Sequence, residues 1–216
     1  RDTRVLESDP PSDWQALIGG YPQSKWVAER LVTIAADRGL PVRIYRPVFV
    51  TGDSTAGIWN TDDFLARMIK GCIQLGGAPD MDARIEMVPV DYVSKAIIHL
   101  SRQRELESNV FHIVGSHYIA VADLFRIIGS LGYKMSLLPY ADWRKALFDD
   151  ARTSSKNALF PLLSGFTDGS PWEMPIFDCR HTLEGLNGTQ LVCPDISANL
   201  MAVYLGYFKS IGFLDA

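Results

Sequence analysis

Apolar positions are sparse over residues 1–19, where Pro10-Pro11 excludes a regular element and Trp14 to Ile18 suggests only a short helical turn. From Tyr21 to Arg38 the period becomes helical. Val27, Leu31 and Ile34, with Ala28 and Ala35 beside them, make one stripe, and Gly39 is a natural stop. Val42 to Arg46 is a short β-rich run that Pro47 limits. A loop follows from Thr51 to Asn60, and Thr61 or Asp62 is expected to cap a helix running to about Leu75, which Gly76-Gly77 ends. Further on, Ile85–Val90, Val110–Val114 and Lys134–Leu138 read as extended, and Tyr92–Ser101, Val121–Leu131 and Asp142–Asp150 as helical. Residues 151–193 have poor periodicity and contain Pro161, Pro171 and Pro175. Pro194 and Asp195 are expected to open a last helix with Ile196, Leu200, Val203, Tyr204, Tyr207 and Ile211 on one broad face.

This alternation of strand and helix predicts an α/β fold with parallel strands. The chain divides into residues 1–114, the later part of a Rossmann-like sheet, and residues 115–216, a mainly helical substrate- and carrier-facing part.

Composition narrows the function classes. The 216 residues are 47% hydrophobic, enough for a packed core, and 21 Lys+Arg against 25 Asp+Glu leave no basic excess for nucleic acid. No apolar run approaches the ~18 residues of a membrane span. Cys72, Cys179 and Cys193 lack metal-site spacing, and their odd number suits a reducing, cytoplasmic setting. His99 sits in a helical pattern and His112 in a strand-like run, both in structural roles.

The chemistry concentrates at Tyr21 and Lys25. Four residues apart on a helix, their side chains share one face, one turn apart. A phenol with a pKa of ~10 is a poor acid or base at neutral pH. A neighbouring ammonium favours the phenolate and makes the hydroxyl a usable proton donor for an oxygen whose carbon receives hydride. The same ammonium can hold the ribose hydroxyls of a nicotinamide cofactor.

Taken with its neighbours, the pair is recognisable. Gly20-Tyr21-Pro22-Gln23-Ser24-Lys25-Trp26-Val27-Ala28-Glu29 resembles the Y-x-x-S-K-x-x-x-E segment of extended short-chain dehydrogenase/reductases, in the form found in thioester reductase domains of nonribosomal peptide and polyketide synthases. Carboxylic acid and aminoadipate reductases carry close relatives. Arg46-Pro47-Val48-Phe49-Val50-Thr51-Gly52 is similar to that family's R-P-x-x-x-x-G strand end. The run from Asp53 through Gly57 and Asn60 to Asp63 is similar to its T-G-x-S-x-x-G-x-x-N-x-x-D-F segment. Val88-Pro89-Val90-Asp91-Tyr92-Val93 and Leu138-Pro139-Tyr140-Ala141-Asp142-Trp143 match two later elements. Asp91 is expected to be an N-cap and Trp143 a packing residue.

The resemblance implies NADPH as hydride donor and Tyr21 and Lys25 as catalytic residues. Lys25, Pro47, Val48, Phe49 and Val50 would lie against the cofactor, and Thr51, Asn60 and Asp63 near the substrate. The implied reaction is reductive release of an acyl or peptidyl chain from a carrier protein's phosphopantetheine thioester, giving an aldehyde, or an alcohol after a second hydride. The isolated domain would be monomeric. Two other readings stay open: an extended reductase or epimerase acting on a nucleotide sugar, and a non-catalytic carrier-docking piece. The family's G-x-x-G-x-x-G phosphate loop is absent from these 216 residues. No Ser or Thr among Thr3, Ser8 and Ser12 takes the third catalytic role. The chain is therefore expected to be the C-terminal part of a longer domain.

Overall fold

The computed structural model describes residues 4–11, 13–17, 19–103, 106, 108–154, 156–168 and 174–215. Thr3 and Ser12 lie outside the described residues. In chain order the elements begin with β1 (Arg4–Val5), a 3-10 turn at Trp14–Ala16, α1 (Gly20–Asp37), β2 (Ile44–Pro47) and β3 (Phe49–Thr51). Then come α2 (Phe64–Leu75), β4 (Gly77–Asp80), β5 (Arg84–Ile85), β6 (Met87–Pro89), α3 (Val90–Arg102) and β7 (Val110–Ile113). The chain continues with β8 (Ile119–Ala120), α4 (Val121–Ser130), β9 (Ser136–Pro139) and α5 (Tyr140–Thr153). A 3-10 turn at Phe160–Gly165, β10 (Ile176–Phe177), α6 (Arg180–Leu186) and α7 (Ala198–Ser210) complete it.

The expected α/β class with parallel pairing is what the structure has. Four ladders are parallel, β1 with β10, β2 with β7, β3 with β6 and β4 with β9, and β5 with β8 is antiparallel. Contacts group the chain into two compact units. The first holds residues 1–48, 94–114 and 175–191, and the second residues 49–93, 115–174 and 192–216.

In the first unit, β2 and β7 run in register from Ile44 opposite Val110 to Pro47 opposite Ile113. The amide of Val48 still donates to the Ile113 carbonyl (3.2 Å) beyond the strand's end. α1 has no buried residue: the stripe of Val27 (50% exposed), Leu31 (62%) and Ile34 (40%) faces solvent. Periodicity located this helix, but none of its side chains is buried in the unit.

The second unit carries the large core. Trp143, Phe125, Ile128, Met68, Tyr204 and Phe208 are fully buried there, at about 1.5–3 kcal/mol or more for each large apolar side chain removed from water. Trp143 is a packing residue, as expected, with its ring edge-on to Phe166 at 5.2 Å.

Several boundaries differ from the sequence reading. The α2 cap is Asp63, not Thr61 or Asp62. Its carboxylate accepts from the amides of Leu65 (2.9 Å) and Ala66 (3.3 Å). The 85–90 run splits into β5 and β6, and Val90 already belongs to α3, so Asp91 lies in the first helical turn rather than at the cap. α7 is capped by Ser197, whose hydroxyl accepts from the Leu200 amide (3.3 Å). Asp195 is instead engaged by His117 (3.0 Å) and does not open the helix. Residues 4–5, expected to be irregular, form β1 with a partner about 170 residues away, which local pattern cannot reveal.

Candidate functional site

α1 begins after Gly19, whose φ of 97° lets the chain turn sharply into the helix. The Gln23 amide nitrogen donates to the Leu17 carbonyl (3.0 Å), and the Ser24 hydroxyl donates to the Tyr21 carbonyl (2.7 Å). This first turn presents Tyr21 and Lys25 on one face of the helix, four residues apart. Tyr21 is 76% exposed and Lys25 is also exposed, so neither the hydroxyl nor the ammonium is walled off within the first unit. No carboxylate pairs with Lys25 among the described residues. Pro47 and Val48 lie in the same unit, and Phe49, Val50, Thr51, Asn60 and Asp63 in the second.

Behind the Tyr–Lys turn is a polar network that composition alone did not flag. The Arg46 guanidinium grips Glu29 of α1 through Nε (3.1 and 3.3 Å to the two carboxylate oxygens) and Nη2 (2.5 Å). Its remaining donors reach the Asp9 carbonyl (3.1 Å), the Glu7 carbonyl (3.4 Å) and His112 Nε2 (3.2 Å). His112 Nδ1 donates to the Asp178 carbonyl (2.7 Å), which leaves Nε2 as the acceptor facing Arg46. The Glu7 carboxylate is buried. It accepts from the amides of His112 (2.9 Å), His181 (2.6 Å) and Thr182 (3.2 Å) and from the Thr182 hydroxyl (3.0 Å). Burial works against ionising Asp178, but the guanidiniums of Arg180 and Arg4 hold its carboxyl below the usual range.

Burial pushes the His112 imidazole's pKa down, and the adjacent Arg46 charge adds to this against the opposing pull of Asp178 and Glu7. The folded state therefore holds His112 neutral at a pH where the unfolded chain, titrating near ~6.5, has bound a proton. This contribution is complete above that pH and is lost as pH falls through the folded value. The thermal midpoint of His112→Asn, whose amide can replace the Nδ1 donor, is expected to fall less than wild type between about pH 7 and pH 5. Parallel midpoints for the two proteins would remove His112 from the pH response.

In the second unit, the residues from Thr51 to Asp63 build one tight loop. Thr51 is 3% exposed, and its hydroxyl lies 2.8 Å from that of Tyr204. The Tyr204 hydroxyl donates to the Gly52 carbonyl (3.0 Å), so the Thr51 hydroxyl is the donor to Tyr204. The Asp53 carboxylate accepts from the amides of Thr55 (2.9 Å) and Ala56 (2.7 Å), and the Asn60 side-chain carbonyl accepts from the Asp62 amide (3.0 Å). Asp91 accepts from the Ser54 amide (2.9 Å) and hydroxyl (3.1 Å), so it anchors this loop to α3. Thr51, Asn60 and Asp63 thus each have a local structural partner. Asp91 and Tyr204 were missed as loop anchors, and their spacing of 37 and about 150 residues from their partners left no signal.

Burial raises the Tyr204 phenol well above its ordinary pKa, so it serves as a neutral hydrogen-bonding group. Tyr204→Phe is expected to cost about 1–3 kcal/mol, because it takes the partner of the buried Thr51 hydroxyl and leaves the Gly52 carbonyl only its long bond from the Val90 amide (3.4 Å). The readout is the urea midpoint, and a wild-type value would show that the two groups find other partners. The thiols of Cys72 and Cys193 are pushed up by burial, Cys193 to about 12, so neither offers a thiolate.

A nicotinamide dinucleotide needs donors at two ends. At the ribose–nicotinamide end the residues fit: Lys25 offers an open ammonium, Tyr21 an open hydroxyl, and Pro47-Val48 the end of β2. The pyrophosphate end needs a strand, a glycine turn and a helix N-terminus. Gly76 (φ 67°) instead closes α2. Gly185 lies inside α6 against Leu100, where an added Cβ would fall 2.3 Å from the leucine side chain. Neither Gly76 nor Gly185 forms a phosphate cradle.

Residues 1–97 match the NAD-binding family described as male sterility protein. The chain is 36% identical to a subunit of linear gramicidin synthase from Brevibacillus parabrevis, over 97% of this chain and 4% of that protein. It is 35% identical to L-2-aminoadipate reductase of Saccharomyces cerevisiae, over 97% of this chain and 16% of that protein. The crystal structure of the terminal R domain from the myxalamid PKS-NRPS pathway superposes with a TM-score of 0.92 at 39% identity, over 100% of this chain and 56% of that one. The chain thus spans a small part of these curated relatives and about half of the solved domain. It belongs to the NAD-binding reductase family that holds the terminal reductase domains of nonribosomal peptide synthetases and the aminoadipate reductases.

Proposed function

We propose that this chain supplies the proton-donating and substrate-facing part of an NADPH-dependent reductase that releases an acyl or peptidyl chain from a carrier protein as an aldehyde. The observation that carries the reading is the open Tyr21–Lys25 pair on one face of the first turns of α1. A reduced nicotinamide, when bound, supplies hydride. The Lys25 ammonium holds the ribose hydroxyls, and the end of β2 with Pro47 and Val48, followed by Phe49 and Val50, borders the nicotinamide. Tyr21 donates its proton to the thioester oxygen as that carbon is reduced. Cleavage of the carbon–sulfur bond then yields the aldehyde and the free phosphopantetheine thiol. Thr51, Asn60 and Asp63 act on the substrate indirectly, by shaping the Thr51–Asp63 loop. Residues 1–114 hold the Tyr–Lys pair, and residues 115–216 face the acyl chain and its carrier domain.

The test is turnover by the full-length protein, followed as loss of reduced-nicotinamide absorbance. An acyl thioester on phosphopantetheinylated carrier protein is expected to be consumed with NADPH and to give aldehyde. Turnover of a nucleotide sugar in its place would assign the chain to a different extended reductase. NADPH binding without turnover of either would leave a carrier-docking role.

A further inference from the structure

We infer that Glu29 and Arg46 form a clamp that positions the Tyr21–Lys25 face of α1, an inference that rests on the reductase reading above. Tyr21, Lys25 and Glu29 follow one another at intervals of four, so they form one row along the helix, drifting by about 40° per step. Within this unit packing holds α1 only in part, because none of its residues is fully buried, Trp26, Thr33, Ala35 and Ala36 are half-buried, and Val27, Leu31 and Ile34 are exposed. The Glu29 side chain is only 19% exposed and is gripped by a guanidinium that is 22% exposed, which gives the helix a directional polar hold.

The grip is directional. A planar fork that meets both carboxylate oxygens limits rotation and sliding in a way that a single ammonium does not. Arg46 is itself immobilised, because its other donors are taken by the carbonyls of Glu7 and Asp9 and by His112. It also precedes Pro47, where the nicotinamide-facing stretch begins. One side chain thereby fixes the proton donor relative to the strand end beside which hydride must arrive. Displacement of a reacting group by about 1 Å costs on the order of 100-fold in rate.

The test uses Glu29→Gln, which keeps the shape of the side chain and removes its charge, and Arg46→Lys, which keeps the charge and removes the fork. Each is made in the full-length protein, alone and together with Tyr21→Phe. Either single change is expected to lower kcat by on the order of 10- to 100-fold with KM for the carrier thioester nearly unchanged. In the Tyr21→Phe background the further loss in kcat should be much smaller than in the wild-type background, because of the two groups the clamp positions only Lys25 is left. Amide hydrogen exchange should quicken over residues 21–29 while β7 stays protected, which separates a loosened helix from an unfolded domain. The clamp is overturned if Tyr21→Phe abolishes turnover while Glu29→Gln keeps a wild-type kcat, or if the losses simply add. If Tyr21→Phe itself turns over normally, the reductase reading falls and takes the clamp with it.

Discussion

Replacing Tyr21 by phenylalanine is expected to lower aldehyde formation by on the order of 100- to 10,000-fold while leaving NADPH affinity close to wild type. That factor is about 3–5 kcal/mol of transition-state stabilisation. The change removes one oxygen and keeps the ring, and Tyr21 lies open to solvent, so no packing is lost with it. On the proposed reading, what disappears is the phenolic proton that this turn hands to the thioester oxygen. On the same reading Lys25→Ala differs in kind, because it takes away both the ammonium beside the phenol and the hydrogen bonds proposed to the ribose. It is expected to weaken NADPH binding as well as turnover, and fluorescence titration of the cofactor separates the two effects. A phenylalanine variant that forms aldehyde at the wild-type rate would contradict the role given to Tyr21.

The residues on which this expectation rests were legible in the sequence, because each depends on local spacing. Tyr21 and Lys25 need only a helix between them, and the 3.6-residue period of Val27, Leu31 and Ile34 announces one. The same holds for α4, where the expected Val121–Leu131 became Val121–Ser130. What pattern could not disclose is long-range. β4 is Gly77-Ala78-Pro79-Asp80, without a β-branched or aromatic residue, and it becomes a strand because β9 lies parallel to it. Arg46 reads locally as the residue before a proline. Its work is with Glu29, Glu7, Asp9 and His112, whose grouping depends on the β2–β7 ladder. The resemblance placed Thr51 near the substrate, and local pattern could not show that its buried hydroxyl meets that of Tyr204. Residues that match a family segment thus divide into those that present chemistry and those that hold the backbone which presents it. In this chain the loop from Thr51 to Asp63 belongs mostly to the second group.

That division leads to a large effect on stability. Gly57→Ala is expected to destabilise the second unit by about 2–5 kcal/mol, a sum of two costs. Gly57 has φ 73°, a left-handed conformation that costs an L-residue about 1–2 kcal/mol. Its missing side chain also points at α7: an added Cβ would fall 2.6 Å from the Val203 carbonyl oxygen and 2.9 Å from the Tyr207 Cβ. Backbone cannot swing aside as a flexible side chain does, so the helix or the loop must shift, at about 1–3 kcal/mol for overpacking. Tyr204 lies between those two positions, and any shift also strains its bonds to Thr51 and Gly52. The thermal midpoint should drop by on the order of 10 °C. Gly206→Ala on the same helix is the control, because an added Cβ there meets nothing within 4 Å. It should raise stability by about 0.4–1 kcal/mol by restricting the unfolded chain. A Gly57→Ala midpoint equal to wild type would mean that the loop does not press against α7 as described. A drop in Gly57→Ala alone would tie the glycine to the close approach of loop and helix rather than to any contact with substrate.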